Sequence, residues 1–285
     1  MPTKPTLSTF LDKPSDPHHP IILFAAPLDA TTSNRSGTRF GPDAIRRESG
    51  FLDTYSVRTG LDWDDIDLGD IGDIDCSSVE ECLASIEETL KDIDGFPVML
   101  GGEHTITLAA VRALKPELVV VFDAHLDLRD ELFGERMCHA TYLRRVIEET
   151  GCNVLVVGAR ALSGEEVAFA SASENVAFIT SRECLKDPRA CIERITRDIQ
   201  SASSIYLSID LDVLDPAYAP AVGNPHPEGL STGMLLDSVE AVMQGNVVGL
   251  DLNEVYPHYD TGVTATTAAY IVMESLYSFL RHRDE

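Results

Sequence analysis

The chain has 285 residues and a formal net charge of −25 at pH 7, with 47 Asp and Glu against 22 Lys and Arg. This acidic balance excludes a typical nucleic-acid-binding protein, whose surface needs stripes of positive charge. It favours a cationic small-molecule partner, because a negative surface steers cations towards itself. The sequence has no apolar run near the ~20 residues of a membrane span and no apolar N-terminal stretch typical of a signal peptide.

The six cysteines show no CxxC pair and no tight spacing typical of a disulfide framework. They are Cys76, Cys82, Cys138, Cys152, Cys184 and Cys191. We therefore expect a reduced protein in the cytoplasm.

Short apolar runs rich in Val and Ile predict strands that are buried on both faces. These runs are 21–26, 97–100, 118–122, 154–157, 176–179, 205–209 and 247–252. Helical patterns lie between them, at 78–91, 105–114, 140–149, 187–200, 232–244 and 264–280. Strands that alternate with helices predict a parallel sheet covered by helices on both sides. No long linker or repeat interrupts this pattern, so we expect a single domain over residues 1–285.

Three polar segments follow predicted strands. They are Gly-Gly-Glu-His-Thr at 101–105, Asp-Ala-His-Leu-Asp at 123–127 and Ser-Ile-Asp-Leu-Asp at 208–212. Parallel sheets bind ligands beyond the carboxyl ends of their strands, so these segments predict the functional site. Because alternate residues of an extended chain point the same way, Asp123, His125 and Asp127 can converge, and Asp210 and Asp212 form a similar pair.

Carboxylates at the end of a buried strand need cationic partners, because burying an isolated charge costs several kcal/mol or more. The only basic residue near these segments is Arg129, so metal ions are the natural partners. The candidate ligands are His104, Asp123, His125, Asp127, Asp210 and Asp212. Such an oxygen-rich set favours manganese, with nickel or iron as alternatives, over structural zinc. Two metal ions can share bridging carboxylates.

These segments, together with SIDLDVLDPAYAP at 208–220 and DLNEVYP at 251–257, resemble the motif set of the ureohydrolases, the family of arginases and agmatinases. The segments 23–46 and 221–231 are similar to the agmatinase branch. The resemblance covers nearly the whole chain. It implies a three-layer α/β/α arginase-like fold with a central, mostly parallel sheet. It also implies a dinuclear manganese centre, two Mn²⁺, and a homo-oligomer, either a trimer or a hexamer.

The same resemblance assigns roles to individual residues. One manganese would be held by His104, Asp123, Asp127 and Asp210. The other would be held by His125, Asp123, Asp210 and Asp212, so that Asp123 and Asp210 bridge. Glu254 matches the glutamate that binds the substrate guanidinium, and His139 matches the histidine that shuttles protons. With Asp127, these two form the predicted catalytic set. Such a site hydrolyses a guanidino compound to urea and an amine.

The segment after Asp127 predicts the charge of the substrate tail. It lacks the Ser and Asn groups with which arginases hold an amino-acid substrate, and it carries Asp130, Glu131 and Glu135. We expect these acids to form a lip that binds a cationic tail, which makes agmatine the leading substrate and N1-aminopropylagmatine the main alternative. Arg129 could instead pair with a carboxylate, so a guanidino acid such as guanidinobutyrate or arginine stays an alternative substrate.

Two alternatives from other classes are less favoured. A single-zinc deacetylase of a related fold has paired histidines upstream of its DxH motif, but the only His-His pair here is His18-His19 in the polar N-terminus. A non-catalytic scaffold usually loses metal ligands, and none of the six candidates is missing. Asp251, which begins the last motif, is expected to orient groups around the metal ligands.

Overall fold

The computed structural model describes residues 3–4, 6 and 8–283. Its strands, β1 to β9, are Thr3–Lys4, Ile21–Ala26, Leu68–Ile74, Phe96–Gly101, Leu118–Phe122, Asn153–Ala159, Val176–Thr180, Ile205–Asp210 and Val247–Asn253. Its α-helices, α1 to α9, are Gly41–Ser49, Val79–Asp92, Thr107–Leu114, Tyr142–Thr150, Gly164–Ala172, Ser181–Lys186, Pro188–Ile199, Thr232–Met243 and Val263–Arg283.

The strands form one sheet in the order β1-β3-β2-β4-β9-β8-β5-β6-β7. Every pair is parallel except β1 with β3, which is antiparallel. Alternate strand residues enter two separate cores: Leu23 belongs to the core that includes residues of α1, α6, α7, α8 and α9, whereas Phe24 belongs to the core that includes residues of α2, α3, α4 and α5. The prediction of a three-layer α/β/α fold with a mostly parallel sheet is therefore confirmed. The prediction of a single domain over 1–285 stays a prediction.

Side-chain caps fix where several helices begin. Ser78 accepts a hydrogen bond from the backbone of Glu81 at the start of α2, and Ser231 does the same for Met234 at the start of α8. Ser163 and Glu166 form a reciprocal capping box at the start of α5. Glu166 also borders the functional site, so the cap at Ser163 helps to fix a side chain of that site.

The strand β3 was missed in the sequence because its residues, LGDIGDI, contain Gly and Asp, which are depleted in strands. Its buried Asp70 is stabilised by a residue far away in sequence. Arg46 of α1 donates to both carboxylate oxygens of Asp70, over 2.7 and 2.8 Å. This bidentate pair offsets the cost of burying the two charges. The helices α5 and α6 were also missed.

Two of the six cysteines, Cys76 and Cys82, form a disulfide, so the expectation of a fully reduced protein is wrong. The short connection between β3 and α2 brings their Cα atoms within 4.2 Å of each other. The other four cysteines are free and buried. Among the described residues, no helix is both long enough and apolar enough to span a membrane.

Candidate metal centre and substrate cavity

The candidate site lies at the carboxyl ends of four neighbouring strands in the middle of the sheet, β4, β9, β8 and β5. His104 follows β4, Asp123 follows β5, Asp210 is the last residue of β8, and Glu254 follows β9. Parallel strands deliver their carboxyl ends to one edge, so residues up to 150 positions apart in sequence meet there.

His104 and two aspartates form the first group of potential metal ligands. The buried Nδ1 of His104 lies 3.1 Å from Asp123 Oδ2 and 3.3 Å from Asp210 Oδ2. Asp127 Oδ2 is slightly farther from the same nitrogen, at 3.8 Å. This arrangement brings together the four residues that were predicted to hold one manganese.

The second group is centred on His125. Its Nδ1 lies 3.3 Å from Asp123 Oδ1 and 3.1 Å from Asp212 Oδ2. Asp123 therefore presents one carboxylate oxygen to each histidine. The ligand atoms of His104, Asp123 and Asp210 lie within 4.8 Å of one another, as do those of Asp123, His125 and Asp212. Asp210 joins the first group only, so the geometry supports a bridging position for Asp123 more directly than for Asp210.

The surroundings of His104 fit a metal ligand. Ser208 Oγ donates to Asp251 Oδ1 over 2.6 Å and lies 2.7 Å from His104 Nε2, so it can accept a hydrogen bond from the N–H of that nitrogen. Nδ1 is buried and, among the described residues, has no well-aligned hydrogen-bond partner. Asp251 holds Ser208, and Ser208 contacts Nε2 of His104, so that Nδ1 points towards the carboxylates. Residues that contact metal ligands commonly orient them in this way.

The electrostatics of the cluster also fit bound cations. Burial lowers the pKa of His104, but its contacts with Asp123 and Asp210 outweigh burial and raise the pKa well above its usual value. His125 behaves in the same way, with Asp212 and Asp123 outweighing burial. A cluster that attracts protons this strongly also attracts metal ions, which displace those protons on binding. The donor set of imidazole and carboxylate suits a pair of manganese ions.

Two candidate residues have left-handed backbone, with φ of 50° at Asp127 and 66° at Glu254. Such angles are rare outside glycine, cost about 1–3 kcal/mol each, and cluster at functional sites. Asp127 therefore does not converge with Asp123 by strand alternation, as the sequence suggested. It reaches the cluster because the chain turns sharply at that residue.

Glu254 is buried beside the first metal-ligand group. Its Oε1 accepts a hydrogen bond from the backbone N–H of His104 over 2.8 Å, and its Oε2 accepts one from the Tyr256 hydroxyl over 2.8 Å. Burial, followed by the nearby charge of Glu103, raises the pKa of Glu254 to about 8. A desolvated carboxylate with fixed orientation is well suited to pair with a planar cation such as guanidinium.

His139 precedes α4 and lines the same cavity. Its Nε2 lies 3.1 Å from the hydroxyl of Ser33, which belongs to the segment between β2 and α1. Burial, and then the positive charge of His125, lowers the pKa of His139 to about 4. The imidazole is therefore neutral near pH 7. Ser33 was not singled out in the sequence, although it lies within the agmatinase-like segment 23–46.

These residues open into one cavity of about 280 Å³. It is lined by Ser33, His104, His125, Asp127, Arg129, Leu132, Phe133, His139, Ala140, Ala161, Glu166, Asp210, Asp212, Asn224 and Glu254. Five of the six predicted metal ligands line the cavity; Asp123 does not. Both predicted catalytic residues outside the metal set, His139 and Glu254, face the cavity.

The predicted acidic lip of Asp130, Glu131 and Glu135 finds no support in the lining of the cavity. The segment between Asp127 and His139 does border the cavity, but through Arg129, Leu132 and Phe133; the side chains of Asp130, Glu131 and Glu135 do not line it. A tight turn pairs Leu132 with Glu135 through two backbone hydrogen bonds of 2.9 Å.

The reason is clearest for Asp130. Its carboxylate turns away to Arg136 and Arg145, at 2.8 and 2.9 Å, with Arg144 at 3.7 Å. These cations hold the pKa of Asp130 below its usual value. The charge of this exposed carboxylate is therefore matched by three neighbouring arginines at the surface.

Arg160 was also missed in the sequence. It follows β6, and its guanidinium donates to the backbone carbonyls of Asp212, Leu214 and His226 over 2.7, 3.1 and 2.8 Å. These bonds tie the loop after β8 in place and thereby fix the position of the Asp212 side chain. A single Arg after a strand carries no sequence signal for this role.

We expect Gly102→Ala to destabilise the protein, because a Cβ at this position would lie 1.9 Å from the backbone oxygen of Leu28. The backbone must shift to relieve this clash, at a cost of about 1–3 kcal/mol. Thermal unfolding should therefore begin at a lower temperature. Gly164→Ala is the matched control, since its Cβ would meet nothing within 4 Å. An equal midpoint for both variants would contradict the tight packing at Gly102.

Comparison with known proteins agrees with this geometry. The sequence model of the Arginase family matches residues 19–277. Agmatinase of Bacillus subtilis is 37% identical over 273 residues, which cover 91% of this chain and 92% of that protein. Guanidinobutyrase of Pseudomonas aeruginosa is 36% identical over 266 residues, covering 88% and 83%. The structure of agmatine ureohydrolase of Thermoplasma volcanium matches with a TM-score of 0.88 at 30% identity, covering 98% of this chain and 96% of that one. The chain therefore belongs to the arginase family.

Proposed function

We propose that this protein hydrolyses a guanidino compound to urea and an amine, and that its substrate is agmatine, which yields putrescine. The observation that carries the proposal is the position of Glu254. A buried carboxylate with a fixed orientation lies directly beside a group of metal-ligand side chains, in the same cavity. The relatives named agmatinase and agmatine ureohydrolase support the choice of agmatine.

The metal ligands are proposed as His104, Asp123, His125, Asp127, Asp210 and Asp212, and the metal as two Mn²⁺. Two divalent ions held by these residues would lower the pKa of a bound water towards neutrality and would place positive charge beside the reacting carbon. Glu254 accepts hydrogen bonds from the guanidinium and holds its plane facing the metal-ligand groups. The reaction forms a C–O bond between an oxygen from water and the guanidinium carbon, and the C–N bond to the alkyl amine then breaks.

His139 is proposed to transfer a proton to the nitrogen of the leaving amine. As a neutral imidazole it can accept a proton released during the attack and return it to the leaving nitrogen. Its low pKa makes the protonated form a strong acid, which favours that return. The hydroxyl of Ser33, 3.1 Å from Nε2, holds the ring towards the cavity.

We expect His139→Asn to lower kcat by roughly 10²- to 10⁴-fold, the usual contribution of a positioned proton carrier. Metal content should stay normal, because His139 is not among the proposed ligands. The measurement is steady-state urea release across a pH series, with and without added imidazole. An unchanged rate and pH profile would remove His139 from the mechanism.

A guanidino acid such as guanidinobutyrate is the second candidate substrate. The observation in its favour is Arg129, which lines the cavity and has a side chain that is 37% exposed. N1-aminopropylagmatine also remains a candidate, since it shares the guanidinium and carries an additional cationic amine.

The decisive experiment is a panel of guanidino compounds assayed with manganese for urea. It should contain agmatine, aminopropylagmatine, guanidinobutyrate and arginine. Agmatine should have the highest kcat/KM. A panel in which no compound yields urea would refute the hydrolase proposal, and one in which guanidinobutyrate ranks first would replace the substrate. The cytoplasmic location and a trimeric or hexameric assembly stay predictions.

A further inference from the structure

The cavity contains one acidic side chain that the proposed reaction leaves without a role. Five carboxylates line it: Asp127, Glu166, Asp210, Asp212 and Glu254. Three of these are proposed metal ligands, and Glu254 is proposed to bind the guanidinium. Glu166 remains.

Glu166 is strongly buried, with 3% of its surface exposed, although glutamate is rarely buried without a partner. It belongs to α5, which follows the neighbouring strand β6. Its Oε2 accepts hydrogen bonds from the N–H and hydroxyl of Ser163, over 2.9 and 2.6 Å, within the capping box. Its Oε1 accepts one longer bond from the N–H of Leu128, at 3.3 Å. A carboxylate offers about four acceptor positions, so Oε1 can accept another donor.

Arg129 does not saturate this carboxylate. The shortest approach of its guanidinium to Glu166 is 3.9 Å, from Nη2 to Oε2, which exceeds hydrogen-bond length. The Arg129 side chain is partly exposed, and binding of another cation at Glu166 requires its guanidinium to turn towards solvent. The lining also includes Leu132, Ala140 and Ala161, which offer apolar surface to a chain of methylene groups.

We infer that Glu166 binds the ammonium group at the far end of the substrate, and so selects substrates with a cationic tail. The inference rests on the proposed function, since it assigns the tail of the molecule whose guanidinium Glu254 holds. It replaces the predicted acidic lip with a single buried carboxylate. One desolvated charge can discriminate more strongly than several exposed ones, because each exposed pair contributes only ~0.2–1 kcal/mol.

The test compares agmatine with butylguanidine, which has the same four-carbon chain but no terminal ammonium. In the manganese-loaded wild-type enzyme, agmatine should have the higher kcat/KM. Glu166→Gln keeps the shape of the side chain and removes its charge. This change should reduce the agmatine-to-butylguanidine ratio of kcat/KM by on the order of 30-fold or more, mainly through KM, as expected for a desolvated charge pair.

Glu165→Gln is the matched control. It makes the same charge change at the neighbouring position of α5, but Glu165 does not line the cavity and its side chain is 49% exposed. The ratio should stay within about twofold of wild type, because exposed charges contribute little. A ratio that falls equally in both variants would overturn the inference, because only the general surface charge would then matter.

A second variant separates tail recognition from helix capping. Ser163→Ala removes the hydroxyl bond to Glu166 but leaves the carboxylate in place. It should lower the thermal midpoint by the loss of a cap and preserve the ratio. A Glu166→Gln enzyme that keeps the wild-type ratio would refute the role of Glu166 while leaving urea release intact. Absence of urea from every guanidine in the wild type would refute the proposed function itself.

Discussion

Asp123→Asn should abolish urea release and reduce the bound metal. Asp123 presents Oδ2 to His104 and Oδ1 to His125, at 3.1 and 3.3 Å, so it belongs to both groups of potential ligands. Asparagine keeps the shape but replaces one anionic oxygen with an NH₂ group, which cannot ligate a cation. Loss of even an indirect partner of a metal ligand costs about 10–100-fold in affinity or activity, so loss of a shared ligand should exceed that range.

The measurement is metal content per chain by elemental analysis, alongside kcat. Asp237→Asn is a suitable control, because Asp237 is exposed and pairs with Arg58 on the surface. It should retain full metal and nearly full activity, since such surface pairs contribute little. Full manganese occupancy in Asp123→Asn would show that Asp123 is not shared between two ions.

The second large effect is expected for Glu254→Gln. The substitution leaves an amide beside the substrate guanidinium, so a charge-assisted pair is lost in a desolvated place. Such losses cost about 2–5 kcal/mol, or roughly 30- to 5,000-fold in kcat/KM. Metal content should stay normal. Tyr256→Phe provides a graded comparison, because it removes one hydrogen bond to Glu254 but keeps the charge. It should cost about tenfold or less.

The pH dependence gives an independent check on Glu254. Burial raises its pKa, to about 8, so in the free protein it is protonated below that pH and ionised above it. Pairing with guanidinium requires the ionised form, and the positive charge of bound metal favours it. The kcat/KM of the wild type should therefore rise with pH, and the midpoint of this rise should lie at or below about pH 8. Glu254→Gln should lack this limb. If kcat/KM of Glu254→Gln still rises with pH as in the wild type, the rise reflects the titration of another group.

The seven strands predicted from apolar runs and the six predicted helices all occur in the structure, because a sheet buried on both faces leaves a clear pattern. β3 was missed because Gly and Asp interrupt its apolar pattern, and the partner of its buried Asp70 is Arg46, which lies outside the strand. The three motifs at strand ends indicated the site because burying polar and charged side chains directly after a strand costs free energy unless a partner or ligand stabilises them.

Other features of the site depend on backbone geometry and distant partners, which a local pattern does not contain. The left-handed backbone at Asp127 and Glu254 is one example. The acids after Asp127 are another: their sequence position next to the site was correct, but a turn and Arg145 direct Asp130 elsewhere. Ser33 and Glu166 reach the cavity from other segments of the chain, so their proximity to His139 and Arg129 appears only in three dimensions.

The bonds around Glu254 have a consequence for how this enzyme can diversify. Its backbone N–H donates to the Gly102 carbonyl, and its carboxylate accepts from the His104 N–H, so the group facing the guanidinium and a metal ligand are held as one mechanical unit. A substitution that breaks these bonds disturbs both at once, whereas Glu254→Gln keeps an oxygen that can accept the bond from the His104 N–H. By contrast, Arg129 lies in the segment after β5 and Glu166 lies in α5, and the hydrogen bonds of the Glu166 carboxylate go to Ser163 and Leu128 and not to a proposed metal ligand. On the proposed assignment, changes in these two segments would alter the preferred tail and leave the proposed metal ligands in place, and laboratory redesign should begin there.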